Sequence, residues 1–108
     1  MEPLRVAIAG TGNIARVHAK ALSEAPGPAA SLVAVMDVDD RKLGPFGRDF
    51  EIHGTYRNLD DLLSHGRPDL VHVCTPPWTH YELALGCLRA GVSVLVEKPP
   101  TISRGVHR

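Results

Sequence analysis

Short apolar runs alternate with segments of helical periodicity along this chain. The runs LRVAIAG (4–10), SLVAVMD (31–37), DLVHVCTPP (69–77) and VSVLV (92–96) predict strands, and the shorter TYR (55–57) predicts one more. Strands separated by helical segments are typical of a parallel sheet with helices on both faces. The pattern therefore predicts an α/β fold built on a doubly wound parallel sheet of about five strands.

Cap and stop residues give the expected limits of two helices. Asn58 stands where it can cap a short helix in NLDDLLSHG, which Gly66 would end. Thr79 and Glu82 have the spacing of a capping box for the helix in WTHYELALGCLRAG, and Gly91 stands where that helix needs a left-handed residue.

The connection between the second and third strands carries Gly44, Pro45 and Gly47. Proline removes a backbone donor and clashes with the preceding helical turn. We therefore expect a shortened or irregular crossover at this point.

The size and composition of the chain exclude several classes of protein. The chain has 108 residues, a usual size for one domain, and we assign residues 1–108 to a single domain. Twelve Lys plus Arg balance twelve Asp plus Glu, so the chain lacks the basic field that a nucleic acid or an anionic membrane would require. No apolar run approaches the roughly 20 residues of a membrane span. Cys74 and Cys87 suit neither a disulfide framework nor a C-x-x-C motif, which favours a reducing, cytoplasmic compartment.

The stretch GTGNIA (10–15) is a candidate phosphate-binding loop, because it follows the first strand and opens the first helix. Gly10 permits the tight turn, Gly12 lets the backbone approach a pyrophosphate, and Ala15 is small enough for close helix-to-strand packing. Amides at the helix start would face the phosphates, where the helix dipole favours negative charge. The alternative is an ordinary strand-to-helix turn. The candidate dinucleotide-binding residues are Gly10, Thr11, Gly12, Asn13 and Ile14.

Asp37 ends the second predicted strand, 22 positions after Ala15, close to the separation at which an acid binds the adenosine ribose of a dinucleotide. A carboxylate here also repels the 2′-phosphate of NADP, so NAD is the expected cofactor. Arg41 and Arg48 leave NADP as an alternative, since a guanidinium can stack on adenine or pair with a phosphate. The competing interpretation of Asp37 is a solvated acid in a turn.

The stretch CTPPWTH lies at the carboxyl end of the fourth strand, where the winding of the sheet reverses and ligands of such sheets bind. Thr75 offers a hydroxyl, and Pro76 and Pro77 hold the chain in an extended path that suits the lining of a nicotinamide pocket. His80 has two interpretations, a contact with the cofactor or a bond to the local backbone early in the helix.

Three residues with metal-ligating side chains, His72, Cys74 and His80, lie close together in the sequence. His72 and Cys74 share one face of the strand, but the three lack the spacing of a zinc-ligand loop. We therefore predict no metal site and interpret His72 as a buried, hydrogen-bonded histidine.

The stretch EKPP (97–100) follows the fifth strand. Lys98 would emerge at the same sheet edge as the glycine loop and Thr75, close to a bound nicotinamide. Its ammonium would polarise a reacting oxygen or relay a proton during hydride transfer. Lys98 is therefore the candidate catalytic residue, and Glu97 and Lys98 are candidate cofactor contacts. The alternative for Lys98 is a surface lysine in a proline-stiffened loop.

The segments GTGNIARVH, DVDDR, CTPPWTHYELALGCLRAG and VSVLVEKPP occur in this order, and together they resemble the N-terminal domain of the glucose-fructose oxidoreductase and inositol dehydrogenase (Gfo/Idh/MocA) family. The most specific element is a strand-end Thr-Pro followed by His80 and then by Glu-Lys-Pro. The resemblance implies a Rossmann domain that binds NAD or NADP, with Lys98 in the active site. It also implies substrates such as sugars, inositols and related polyols, oxidised at a secondary hydroxyl.

Members of this family carry a second, C-terminal α+β domain that supplies most of the substrate pocket. Residues 101–108 hold no counterpart of it, so the resemblance leads us to expect that this chain is the cofactor-binding part alone. Two other functions stay open on sequence grounds, a noncatalytic dinucleotide-sensing module and a methyltransferase that binds S-adenosylmethionine. The apolar VSVLV at the sheet edge predicts pairing with another molecule, so we expect a homo-oligomer.

Overall fold

The computed structural model describes residues 3–24 and 30–96, which form one parallel sheet covered by helices on both faces. The elements are β1 (Leu4–Ala9), α1 (Asn13–Glu24), β2 (Ala30–Met36), α2 (Asp40–Asp49), β3 (Gly54–Tyr56), α3 (Leu59–Asp61) with the π-helical turn Leu62–Gly66, β4 (Leu70–Val73), the 3-10 turn Pro77–Thr79, α4 (His80–Arg89) and β5 (Ser93–Val96).

The five strands pair in the order β3-β2-β1-β4-β5, and every pair is parallel. The chain therefore winds outward from β1 in one direction through β2 and β3 and in the other through β4 and β5. This order is that of a doubly wound sheet, with the reversal between β1 and β4. The predicted fold class is confirmed. The carboxyl ends of β1, β2 and β4 open at one edge of the sheet, where a ligand can reach all three.

Alternate residues of the central strands enter two separate cores, as the period of two along a strand requires. Ile8 of β1 packs with α1 and α2, where Phe46 is fully buried. Its neighbour Ala7 packs on the opposite face with Leu62 and with Cys87 of α4. Burial raises the pKa of the Cys87 thiol, because the thiolate would lose its hydration there.

The expected interruption between β2 and β3 is wrong, because α2 is a continuous helix of ten residues with Pro45 inside it. Its N-terminus is capped by Asp39, whose side chain accepts a hydrogen bond from the Arg41 amide. Leu43 and Phe46 are buried against the sheet. Capping and burial together outweigh the one helical hydrogen bond that the proline removes.

Asn58 caps α3 as predicted, since its side chain accepts a hydrogen bond from the Asp61 amide at 2.8 Å. Gly91 after α4 has a φ of 75°, the left-handed conformation expected there. Gly66 is the last residue of the π-helical turn, but the left-handed residue that follows is Arg67, with a φ of 47°.

The capping box predicted at Thr79 is wrong. Thr79 already has helical backbone angles and makes no side-chain cap bond. A capping hydroxyl needs extended backbone to reach forward to the first helical amides. The Thr79 hydroxyl donates backward instead, to the carbonyl of Pro76 at 2.7 Å.

No helix in the described part of the chain is long and apolar enough to cross a membrane.

Candidate dinucleotide-binding site

The two glycines of the loop between β1 and α1 have different roles. Gly10 has a φ of 101° and donates its amide to the Met36 carbonyl at 2.7 Å. A Cβ at Gly10 would lie 3.0 Å from the backbone carbonyl of Cys74, whereas a Cβ at Gly12 would meet no protein atom within 4 Å. Gly10 is therefore required by the fold, while the absence of a side chain at Gly12 keeps open space beside the loop.

The N-terminus of α1 points its amides toward this open space. The helix begins at Asn13, so the amides of Asn13 and Ile14 have no partner within it. Its first turn carries no acidic residue. An anion placed over Gly12 would therefore meet unpaired donors and the positive end of a twelve-residue helix.

Asp37 lies directly after β2 and faces the glycine loop. Its Oδ2 accepts hydrogen bonds from the Thr11 amide at 2.9 Å and from the Thr11 hydroxyl at 2.6 Å, and its Oδ1 accepts one from the Asp39 amide at 2.9 Å. A carboxylate offers about four acceptor positions, so Oδ1 retains one for a ligand hydroxyl. Asp37 therefore fixes the glycine loop in addition to lining the cleft, a role that the sequence pattern does not reveal.

The Thr75 hydroxyl is held beside the Thr79 hydroxyl. Thr79 has one hydroxyl hydrogen and gives it to the Pro76 carbonyl, so the hydrogen between the two threonines belongs to Thr75. The lone pairs of the Thr75 oxygen then remain for a donor from a ligand. An amide NH₂, such as the carboxamide of nicotinamide, is a donor of this kind.

His80 is the first residue of α4, and its Nε2 lies 2.7 Å from the Thr75 carbonyl. Of the two interpretations of His80, this contact agrees with the hydrogen bond to the local backbone. It ties the start of α4 to the loop after β4. A contact between His80 and the cofactor stays a prediction.

A cleft of about 720 Å³ connects these groups, within the roughly 300–1,000 Å³ of small-molecule sites. The predicted residues that line it are Gly10, Thr11, Gly12, Asp37, Thr75 and Pro76. Val38 and Trp78 also line it and were not predicted; they are 75% and 82% exposed. Both follow the carboxyl ends of strands, which is the signal that would have identified them. Ile14 and His80 are not among the lining residues of this cleft.

A smaller cleft of about 370 Å³ adjoins the glycine loop and includes Asn13, Arg41 and Lys42 in its lining. The Arg41 guanidinium pairs with Asp39 at 3.2 Å, and this hydrogen bond lowers the pKa of the Asp39 carboxyl. Arg48 was named together with Arg41 in the sequence analysis as a residue that leaves NADP possible. It lines a different cleft, with Glu51 and Ile52. The reason is the helix itself, because the two arginines are seven positions apart on α2 and therefore about 10 Å apart along its axis.

The catalytic candidate Lys98 and its neighbour Glu97 lie outside the described residues. The last described strand residue, Val96, pairs with Val73 at the end of β4. The chain therefore leaves β5 at the sheet edge that carries Thr75.

Of the three residues considered as metal ligands, His80 is separate from the other two. His18 of α1 takes its place, and its ligand atom and those of His72 and Cys74 lie within 4.8 Å of one another. The sequence did not indicate His18, because it lies 54 positions from His72.

Comparison with known proteins gives the family of the chain. The profile of the Gfo/Idh/MocA group, described as the oxidoreductase family with an NAD-binding Rossmann fold, matches residues 4–105. Galactose 1-dehydrogenase of Pseudomonas fluorescens is 36% identical over 107 residues, covering 97% of this chain and 32% of that protein. D-glucoside 3-dehydrogenase of Escherichia coli K12 is 39% identical over 105 residues, covering 94% of this chain and 28% of that protein.

A solved structure agrees with the fold. The WlbA dehydrogenase from Bordetella pertussis, in complex with NADH and UDP-GlcNAcA, matches with a TM-score of 0.84 at 28% identity, covering 91% of this chain and 29% of that one. The chain spans less than a third of the length of each of these three proteins. The profile match, the strand order and the glycine loop agree, and the chain therefore belongs to the Gfo/Idh/MocA oxidoreductase family with its NAD-binding Rossmann fold.

Proposed function

We propose that this chain is the cofactor-binding part of an oxidoreductase that transfers hydride from a secondary hydroxyl of a sugar, inositol or related polyol to NAD. The observation that carries the proposal is the cleft of about 720 Å³, lined by the glycine loop, Asp37 and the Thr75 loop. The substrate class follows the relatives, whose names include a galactose, a glucoside and a myo-inositol dehydrogenase.

The residues that line the cleft favour one orientation of bound NAD. The adenosine ribose lies at Asp37, whose Oδ1 has a free acceptor position. The pyrophosphate lies over Gly12 and the first amides of α1. The nicotinamide then lies toward Thr75, where its carboxamide can donate to the threonine oxygen. When bound, NAD supplies the hydride acceptor of the reaction.

Lys98 is the proposed catalytic residue, on the strength of the Glu-Lys-Pro motif and of the edge at which β5 ends. Its ammonium holds and polarises the substrate oxygen while the hydride leaves the carbon, and it relays the hydroxyl proton by giving up one of its own protons as it receives that of the substrate. Glu97 is proposed as a further contact near the cofactor.

Substitution Asp37→Ala should weaken NAD binding by roughly tenfold or more, because hydrogen bonds to a charged group contribute about 1.5–3 kcal/mol each. The preference for NAD over NADP should narrow, since the charge that repels a 2′-phosphate is gone. Calorimetry with both cofactors measures the two affinities. Asp40→Ala is the matched control, since Asp40 is exposed, pairs with Arg57 at 2.8 Å and does not line the cleft.

Asp37→Asn separates the two roles of this residue. The asparagine oxygen can still accept from the Thr11 amide, so the loop is held while the charge is lost. We expect this variant to bind NADP better than the unaltered chain does. An unchanged ratio of NAD to NADP affinity in both Asp37 variants would refute the assignment.

The activity is tested by NADH formation with a panel of inositols and aldoses, using the longest form of the protein that its gene encodes. Oxidation of one or more of these polyols is the expected result. Tight NAD binding without oxidation of any polyol would favour the noncatalytic sensing module instead.

We also propose a homo-oligomer in the cytoplasm. Among the described strands β5 lies at one edge of the sheet and pairs only with β4, so its outer backbone groups can pair with a second molecule. Leu95 of this strand is 53% exposed. Sedimentation equilibrium should give a mass above that of one chain, and a Leu95→Lys variant should shift it toward the monomer. A monomer at all concentrations would contradict this expectation.

A further inference from the structure

Three side chains with metal-binding atoms cluster on the face of the sheet that α1 covers. One ligand atom from each of His18, His72 and Cys74 lies within 4.8 Å of the other two. The rings of His18 and His72 are in contact, with centroids 4.1 Å apart. His72 is only 7% exposed.

The fold brings this cluster together through two periodicities. His72 and Cys74 are two residues apart at the end of β4, so their side chains leave the same face of the sheet. His18 follows Ala15 by three residues on α1 and therefore shares the helix face on which Ala15 packs against Ile8. The cluster thus joins α1 to β4 across the point where the winding reverses.

In place of the sequence-based prediction of no metal site, which did not include His18, we propose that His18, His72 and Cys74 bind one zinc ion, with a fourth position open to water or another donor. Two imidazole nitrogens and a thiolate are ligands that suit zinc, while magnesium and calcium require oxygen ligands, which this set lacks. Zinc lies about 2.0–2.1 Å from nitrogen and about 2.3 Å from sulfur, which places tetrahedral ligand atoms roughly 3.3–3.7 Å apart. Side-chain adjustments of about 1 Å close the cluster to that geometry.

Each of the three side chains has interactions within the protein. Zinc binding exchanges these interactions for coordinate bonds and requires the Cys74 thiol to lose its proton, so affinity rises with pH. The site lies behind the cofactor cleft, since Cys74 lines that cleft and its carbonyl packs against Gly10. Zinc at this position holds α1 to β4 and stabilises the fold, which gives a readout that is independent of any dehydrogenase activity.

Titration of the 108-residue chain with Co²⁺, a spectroscopic substitute for zinc, tests the proposal. We expect one ion per chain, a thiolate-to-cobalt charge-transfer band and the visible absorption of tetrahedral cobalt, all removed by added Zn²⁺. Zinc should also raise the midpoint of thermal unfolding. Cys74→Ser should eliminate the charge-transfer band, and His18→Asn should weaken binding by more than about tenfold, since even outer partners of metal sites have effects of that size.

Cys87→Ser and His53→Asn are the matched controls. Cys87 is fully buried on the opposite face of the sheet, and His53 is exposed in the connection before β3, so both variants should keep the full cobalt spectrum. In the unaltered chain, zinc should slow the alkylation of Cys74, mapped by mass spectrometry, which needs no variant to fold. The proposal is overturned if the folded chain binds no Co²⁺ or Zn²⁺ at micromolar concentrations, or if zinc leaves Cys74 alkylation unchanged.

Discussion

Gly12→Val is expected to reduce NAD binding to near background while the fold survives. Beyond the two adjoining residues, a Cβ at Gly12 meets no protein atom within 4 Å, so a side chain there begins in open space. The branched side chain instead fills the space where the pyrophosphate approaches the first amides of α1. The pyrophosphate then loses two hydrogen bonds from the first amides of α1. Charge-assisted bonds of this kind contribute about 1.5–3 kcal/mol each, so the affinity for NAD falls by more than roughly 100-fold.

Gly10→Ala is the control that separates the cofactor site from the fold. Gly10 has a φ of 101°, and its Cβ would lie 3.0 Å from the Cys74 carbonyl group. This variant should be less stable by about 1–3 kcal/mol in denaturant unfolding, because an L-residue is strained there. Gly12→Val should keep both its circular dichroism and its unfolding midpoint.

Fluorescence of Trp78, the one tryptophan of the chain, reports binding directly because Trp78 lines the cleft. NAD should change this signal in the unaltered chain and not in Gly12→Val. A folded Gly12→Val chain that keeps the original NAD affinity would refute the phosphate-binding role of the glycine loop.

Lys98→Ala is expected to lower the rate of hydride transfer by roughly 10²–10³-fold while the dissociation constant of NAD changes little. This fall in rate equals the usual effect of removing one hydrogen-bond donor that stabilises charge on a reacting oxygen. The ammonium acts on the substrate oxygen and not on the dinucleotide, so the loss appears in kcat rather than in cofactor binding. The experiment requires a form of the protein that turns over a polyol, extended beyond Arg108 if its reading frame continues.

Two further variants make this test specific. Lys20→Ala removes an exposed lysine of α1 and should leave the rate unchanged. Lys98→Arg keeps the positive charge but replaces a compact ammonium by a planar guanidinium. This variant should therefore have a rate between that of Lys98→Ala and that of the unaltered enzyme. Full activity in Lys98→Ala would remove Lys98 from the mechanism. For residues 1–108 alone we expect NAD binding with negligible turnover, since the chain covers only 32% and 28% of the two dehydrogenases named above.

The sheet could be predicted from sequence because its evidence is local. Val71 and Val73 belong to an apolar run, and such runs separated by helical segments specify parallel strands. The edge that carries Gly12, Asp37 and Thr75 follows, since the carboxyl ends of parallel strands lie together. Features that depend on packing were missed. Pro45 lies inside a helix because neighbouring residues are buried, which no local propensity records.

Long-range side-chain contacts could not be predicted for a similar reason. The Thr11–Asp37 hydrogen bonds join residues 26 positions apart, and they form only because β1 and β2 are neighbours. His18 meets His72 only after α1 has packed on the sheet. Sequence spacing identifies residues on one element, whereas these pairs depend on how two elements meet.

The central claim is that this chain binds NAD in the cleft formed by the glycine loop, Asp37 and the Thr75 loop. Isothermal calorimetry of the 108-residue chain with NAD, NADP and S-adenosylmethionine tests it most directly. We predict saturable binding of one NAD per chain, weaker binding of NADP and no binding of S-adenosylmethionine. Absence of NAD binding by the folded chain, or tighter binding of S-adenosylmethionine than of NAD, would contradict the account.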